Sequence, residues 1–450
     1  MTKPFARIAR WLAVPLVLPV VCVGALLWWL PSDEEIARRI ESAFERGTGV
    51  ALQVGEVHWA LRPTPVVVLT GVTTMQPTPI TLRRIAVHPQ LRALFDRRIA
   101  IDLIEIDGAV VPRAATPAFR DGSAEKADPG EGWVLADIPV RTLRFTDVTW
   151  IDRREIALAY DGHAVFDAGW VPREAEVQRR GVTPMARLRL VREGTDAAGT
   201  AESAPVAAGA DNARVHRWRT LIDVGGGTWN GTTQLQALAD GGYRLQGELA
   251  AADIDLVSMV SAFQRRSAVT GKVSGQTTLR AEGADMARLV RSLHTSTRFT
   301  VKPATLLRFD LQKAVATAGL ERNGQTPLDT LTGTLDTQNT GDGMALRYTG
   351  LKARSGLLTA SGNASVYQRR IEGDVAVDLV DGVVGVPLKI GGTLDAPQLS
   401  LTGGALAGAA IGSAVAPGIG TVIGARIGQQ VERIFGGGEA PAKAPPGNKR

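Results

Sequence analysis

Between Val50 and Leu401 the apolar residues recur chiefly at every second position, and this alternation limits what the chain can fold into. In Ile371–Leu379, Ile371, Gly373, Val375, Val377 and Leu379 fall on one side and Glu372, Asp374, Ala376 and Asp378 on the other. Successive side chains of a strand point to opposite faces, so this segment reads as a strand with one apolar and one wet face. Val50, Leu52 and Val54 alternate with Ala51, Gln53 and Gly55, and Ile80, Leu82, Ile85 and Val87 continue the pattern. Pro65 to Leu69 is a continuous apolar run, and Ile99, Ile101 and Leu103 share a face before the phase changes to Ile104 and Ile106. Val140–Trp150, Arg219–Gln236 and Gly271–Ala281 are strand-like as well. Short alternating runs broken by Gly, Pro and Asp predict antiparallel strands. The Gly-rich Gly225–Gly231 and Asp240–Gly242 lack a strand–loop–helix phosphate-binding context and read as hairpin turns.

Helical spacing is confined to short segments. Ser32 and Glu35 have capping-box spacing, and Ile36, Ile40, Ala43 and Phe44 form one stripe, which predicts a helix ended by Gly47 or Gly49. Glu34–Arg38 and Glu35–Arg39 are favourable pairs on it. Leu91, Leu94 and Phe95 suggest one helical turn, and Asp253–Phe263 and Met286–Leu293 read as helices. Pro112–Gly132 and Gly194–Ala213, rich in small and polar residues, read as loops or linkers.

The chain opens with Lys3, Arg7 and Arg10, then an uncharged run from Trp11 to Leu30, then Asp33 and Glu34. A 20-residue apolar helix spans ~30 Å, the thickness of a bilayer core. The flanking charges predict an N-terminus in the cytoplasm and the bulk of the chain outside it. The alternative is a cleaved secretory signal, but no small-x-small site follows the run, and Trp28 and Trp29 suit a membrane–water interface. At the other end Gly404, Gly408, Gly412, Gly420, Gly424 and Gly428 are spaced by fours on each side of Pro417–Gly418. This predicts a glycine-zipper helical hairpin, either inserted in a membrane or packed on protein, followed by a disordered tail after Gly436. The resulting division is an anchor over 1–31, a β region with an amphipathic helix over 32–112, a variable β region over 113–249, a second β region over 250–401, and the zipper and tail over 402–450.

Chemistry-bearing patterns are sparse. His58, His88, His163, His216 and His294 are scattered singly, and Cys22 is the sole cysteine. No metal-ligand spacing, GxSxG or P-loop occurs, so no enzyme, metal or cofactor is expected, and no residue is singled out as a catalytic or binding site. Net charge is +6, but basic and acidic residues are interspersed apart from short pairs such as Arg83–Arg84 and Arg179–Arg180. Nucleic acid is not an expected partner, and anionic lipid headgroups are the more natural one.

The order of elements resembles the AsmA family of membrane-anchored periplasmic proteins. An N-terminal anchor and a short helix ending in Thr48–Gly49 precede the strings Arg62–Val72 and Leu82–Val111. Leu289–Val315 is similar to the family's helix–strand–strand–helix element, and Ser355–Leu379 with Val386–Leu401 resembles its closing strands. The most specific string is VPxxIxGTLxxP, carried by Val386, Pro387, Ile390, Gly392, Thr393, Leu394 and Pro397. The resemblance implies an elongated, curved antiparallel β-groove behind a single-pass inner-membrane helix, related to chorein-type bridge-like lipid-transfer proteins. Its implied cargo is phospholipid and its implied role is outer-membrane lipid homeostasis. A factor regulating outer-membrane protein insertion and a non-catalytic envelope scaffold are the alternatives. Roughly 340 residues would make about 25 strands, on the order of 120 Å when stacked. That length falls short of a periplasm, so the zipper is expected to mediate self-association or a second membrane contact.

Overall fold

The computed structural model describes residues 33–401 apart from 61–63, 122–133, 169–170, 195–214, 240, 312, 314–322, 341–342, 357, 380–385 and 395. The apolar run Trp11–Leu30 and the zipper Gly404–Gly428 lie outside the described residues. Among those described, no helix is long and apolar enough to cross a membrane. The protein is mainly β, with 21 strands and a few short helices among the described residues. It forms two compact units, Met1–Arg266 with Gln276–Leu293, and Ser267–Gly275 with His294–Arg450.

The first unit begins with α1 (Asp33–Thr48), whose first turn carries Asp33, Glu34 and Glu35, the sign that suits a helix N-terminus. Arg39 pairs with Glu35 at 2.5 Å, and the helix stops at Gly49, whose φ is +73°. Its stripe of Ile36, Ile40 and Phe44 is buried against β1 (Leu52–Gln53), β2 (Glu56–Ala60), β3 (Val66–Thr74), β4 (Thr81–Pro89) and β5 (Arg98–Pro112). The turn α2 (Leu91–Phe95) joins β4 to β5. The phase change predicted within β5 is a bulge: His88 opposes Leu103 while Pro89 opposes Ile101, so Asp102 is the extra residue. Ile101 and Ile104 are thereby both fully buried.

The sheet is antiparallel, as expected, except for one pairing among the described strands. β5 pairs in parallel with β6 (Val134–Ile151). Parallel neighbours need a long crossover to bring the chain back to the same end, and residues 113–133 supply it. The expected loop is accordingly not all loop. It starts with a 3-10 turn at Arg113–Ala115 and α3 (Ala118–Asp121), and Phe119 meets Phe44 of α1 edge-on at 6.3 Å.

From β6 the chain runs antiparallel, each strand beside the next, through β7 (Ala157–Asp167), β8 (Val171–Arg179), β9 (Arg187–Arg192), β10 (Val215–Val224), β11 (Gly227–Ala237) and β12 (Tyr243–Asp255). Gly225 and Gly226 have φ of +58° and +73°, which makes the predicted hairpin turn between β10 and β11. The helix expected over Asp253–Phe263 is shorter: α4 spans Leu256–Ser261. The β12 ladder competes for the preceding residues, and the Asp255 carboxylate accepts from the Ser258 N–H at 2.7 Å, so the helix starts only there. β13 (Val269–Gly283) gives its second half to this unit, and α5 (Met286–Arg291), capped by Asp285, packs Leu289 on Tyr243 and Ala281.

The second unit holds the first half of β13 and then β14 (His294–Leu306), β15 (Thr326–Leu328), β16 (Thr330–Thr340), β17 (Gly343–Ser355), β18 (Leu358–Tyr367), β19 (Arg370–Leu379), β20 (Val386–Gly392) and β21 (Pro397–Leu401). From β14 onward all pairings are antiparallel. The VPxxIxGTLxxP string forms the last hairpin: Gly392 has φ of +86°, and the backbones of Thr393 and Ala396 bond each other across the turn.

Candidate functional site

Directly opposed residues of paired strands share a face, so the registers trace each surface across the sheet. In the first unit one unbroken row runs Leu69, Ile85, Ile106, Phe145, Gly162, Val177, Leu188, Ile222, Trp229 and Ala251, from β3 to β12. The other face of β9–β12 carries Arg187 paired with Asp223 at 2.7 Å, and Gln234 bonded to Gln246 at 3.1 Å. In the second unit a row runs Thr297, Leu335, Tyr348, Ala364, Gly373 and Ile390 from β14 to β20, and beside it Leu346, Val366 and Ile371. The reverse face of these strands presents Arg347, Lys352, Ser361, Glu372, Asp374 and Lys389, all exposed. Each sheet is therefore apolar on one side and charged on the other.

What covers the apolar side differs along the chain. At the start of the first unit α1 seals it, and Ile36, Ile40, Leu69, Ile85 and Ile104 are fully buried. Beyond β7 α1 no longer covers it: Val177, Leu190, Ile222, Trp229 and Leu245 are half-buried and Leu188 is more exposed still, while Trp218, Thr220, Val224 and Leu249 on the same face are buried. In the second unit every extensive contact among the described residues is between neighbouring strands. Among the described residues no second layer lies on its apolar face, where Leu331, Leu335, Leu346, Leu351 and Val375 are half-buried while Val301, Val366, Val377 and Leu388 are buried.

Polar groups on these faces satisfy one another. Thr220 and Thr233 share a hydrogen bond of 2.8 Å, Thr295 and Thr337 one of 2.7 Å, and the Trp218 indole donates to the Pro172 carbonyl at 2.7 Å. Two aromatics, Phe299 and Tyr348, meet at 87° with centroids 6.5 Å apart. Burial raises the Tyr348 phenol above its ordinary pKa, keeping it neutral. The Trp229 indole N–H is sealed from solvent and has no partner among the described residues.

A strap crosses the first unit. The segment from Asp255 to Arg265, containing α4, returns from β12 to the start of β7, although β8 to β11 lie between them in the sheet. Gln264 donates to the Ala157 carbonyl at 3.1 Å, Arg179 donates to the Ala262 carbonyl at 3.0 Å, and the Arg265 guanidinium bonds the Asp152 carboxylate. Burial alone would raise the Asp152 carboxyl. The N–H groups of Ile156 and Arg154 and the Arg265 charge outweigh it and hold that carboxyl below the usual range. Arg179 lies on the apolar face, opposed to Tyr160, with its guanidinium 4.9 Å from the ring centroid.

The sequence singles out no site residue, and the feature it does note, the Arg179–Arg180 pair, is divided by the strand geometry. Arg180 turns to the polar side toward Asp147 and Asp161, at 3.5 and 3.7 Å, while Arg179 turns inward. Only the register reveals this. Among the described residues no group of three or more His, Cys, Asp or Glu could hold a metal ion. A shallow cleft of about 400 Å³ lies on the polar face between Arg217, Gln246 and Arg280, away from the apolar row. No family model, curated protein or solved structure matches this chain.

Proposed function

We propose that this chain is an inner-membrane-anchored periplasmic protein that carries phospholipid along the apolar face of a β-groove and so contributes to outer-membrane lipid homeostasis. The observation that supports the reading most is the half-buried apolar face of the second unit, over which no second layer lies among the described residues. Domains normally bury such a face against a second layer. A row of half-buried Leu, Val and Ile side chains without one is a surface that acyl chains would cover, removing about 25 cal/mol per Å² of apolar contact with water. No cofactor is needed, because an apolar path of uniform depth lets a chain slide without a chemical step. The AsmA resemblance of the sequence agrees with this reading, and the uncharged run Trp11–Leu30 is its proposed anchor. A filled sandwich core would instead favour a scaffold.

The test places a photoreactive amino acid at single positions of the full chain in cells. Val375 and Asp374 are consecutive residues of β19 on opposite faces, as are Leu188 and Arg189 of β9. Probes at Val375 and Leu188 are expected to capture phospholipid, and those at Asp374 and Arg189 are not. Equal capture from both faces, or none from either, refutes the reading.

A further inference from the structure

We infer that the Arg179 guanidinium is the docking point for the phosphate of a phospholipid whose acyl chains lie on the apolar face of β8–β12. The inference rests on the lipid-carrying reading of that face and adds where the headgroup is held.

Arg179 is only 8% exposed, yet among the described residues no carboxylate pairs with it. Its partners are neutral: the carbonyls of Ala262 and Ala159 and the Tyr160 ring. The other inward arginine nearby, Arg192, is neutralised by Asp167 at 2.9 Å. A buried charge without a counter-ion is costly, and proteins that retain one commonly use it. A guanidinium has five N–H donors, and the two carbonyls take one from Nε and one from Nη1. Nη2 has no partner among the described residues and is not sealed from solvent. It is therefore free to donate, with the remaining Nη1 hydrogen, in the planar fork that fits phosphate oxygens.

Position supports the same occupant. Arg179 is the last residue of β8, at the strand end where the strap terminates, and Val177 continues the same face inward. A phosphate there leaves the rest of the headgroup in water while the chains run over Val177, Leu188 and Ile222. An uncharged lipid offers the guanidinium only neutral ester and hydroxyl oxygens, whereas a phosphate adds charge to the hydrogen bond, so the site favours phospholipid over diacylglycerol.

The full-length chain is placed in phosphatidylethanolamine vesicles containing a trace of phosphatidylglycerol, or of diacylglycerol, each bearing the same photoreactive acyl chain. Labelled residues are mapped by mass spectrometry. Phosphatidylglycerol is expected to label the first unit's apolar face about tenfold more than diacylglycerol, the effect of one charge-assisted hydrogen bond. Arg179→Gln should remove the preference and Arg179→Lys should retain most of it, with labelling of the second unit unchanged in both. Equal labelling of the first unit by the two lipids in the unmodified chain overturns the Arg179 site and leaves the apolar-surface reading standing. That comparison needs no variant to fold. Loss of both lipids alike in Arg179→Gln and Arg179→Lys means that the residue only holds the strap, and overturns the site. Excess inorganic phosphate that erases the preference shows a free-anion site and overturns the lipid assignment. No label on either apolar face overturns the site and the lipid-carrying reading together.

Discussion

Single residues set the two faces of this protein, and the glycines among them have a defined part. Gly231 and Gly362 lie on the apolar faces, where a Cβ at Gly231 would stand 1.9 Å from the Glu248 carbonyl oxygen and one at Gly362 2.2 Å from that of Asp374. The neighbouring strand is thus closer than any side chain permits, which is the close approach that a glycine in a strand marks. Gly391, by contrast, has nothing within 4 Å of its would-be Cβ and no positive φ. Gly362→Ala is expected to lower stability by about 1–3 kcal/mol, the cost of overpacking. Gly391→Ala should stay within about 0.5 kcal/mol. Urea midpoints of the full chain measure both, and equal values would show that the strands yield freely at Gly362. At the same scale, strand geometry decides what a dipeptide such as Arg179–Arg180 means: two like charges adjacent in sequence part to opposite faces, one paired and one not.

Among the elements, the strap depends most clearly on a single titratable contact. Asp152 receives N–H groups from Arg154 and Ile156 at 2.7 and 3.0 Å and is bridged by Arg265, so its carboxyl has a lowered pKa when folded. The unfolded chain then takes up the proton first as pH falls. The stabilisation is fully present above the ordinary carboxylate pKa of about 3.9 and is lost as pH drops through the lower folded value. Asp152→Asn should cost a constant amount of stability from neutral pH down to about pH 5, and the gap to the unmodified chain should close below about pH 4. Denaturant titrations at each pH check this, and a gap independent of pH down to acid would exclude the ion pair as its source. The strap also shows where local patterns stop being readable. The alternation of β19, the stripe of α1 and the glycine turn after β10 are near-neighbour effects and stand in the sequence. The parallel pairing of β5 with β6 depends on where residues 113–133 deliver the chain. The contraction of the Asp253–Phe263 helix to α4 follows from competition with the β12 ladder. The inward placement of Arg179 follows from a register counted across strands. None of these three has a local signal.

Across the whole molecule, both units repeat one arrangement, an apolar row on one side of a sheet and charged residues on the other. If this face carries lipid as proposed, the work is spread over many Leu, Val and Ile side chains, so that removing one methyl group changes little. A charge within the row is different, because an acyl chain passing it would strip the carboxylate of water, at an effective cost of several kcal/mol. At 1.4 kcal/mol per decade, even a partly relieved penalty slows passage tenfold or more. Val375 and Ala376 of β19 separate this effect from folding: they are adjacent, and their opposed residues on β18, Gly362 and Ser361, place them on the apolar and polar faces respectively. Val375→Asp in the full chain is expected to reduce phospholipid transfer between vesicles at least tenfold, whereas Ala376→Asp, the same charge on the next residue, leaves transfer near its starting rate. Circular dichroism on both variants verifies that the sheet persists. Two folded variants that transfer lipid equally would mean that cargo does not move over this face. Two variants that both fail to transfer would mean that β19 tolerates no added charge. In that case a shorter probe, Val375→Thr, which keeps the side-chain shape and adds one hydroxyl, gives the remaining comparison: a partial loss confined to the apolar face would restore the case for a continuous apolar track.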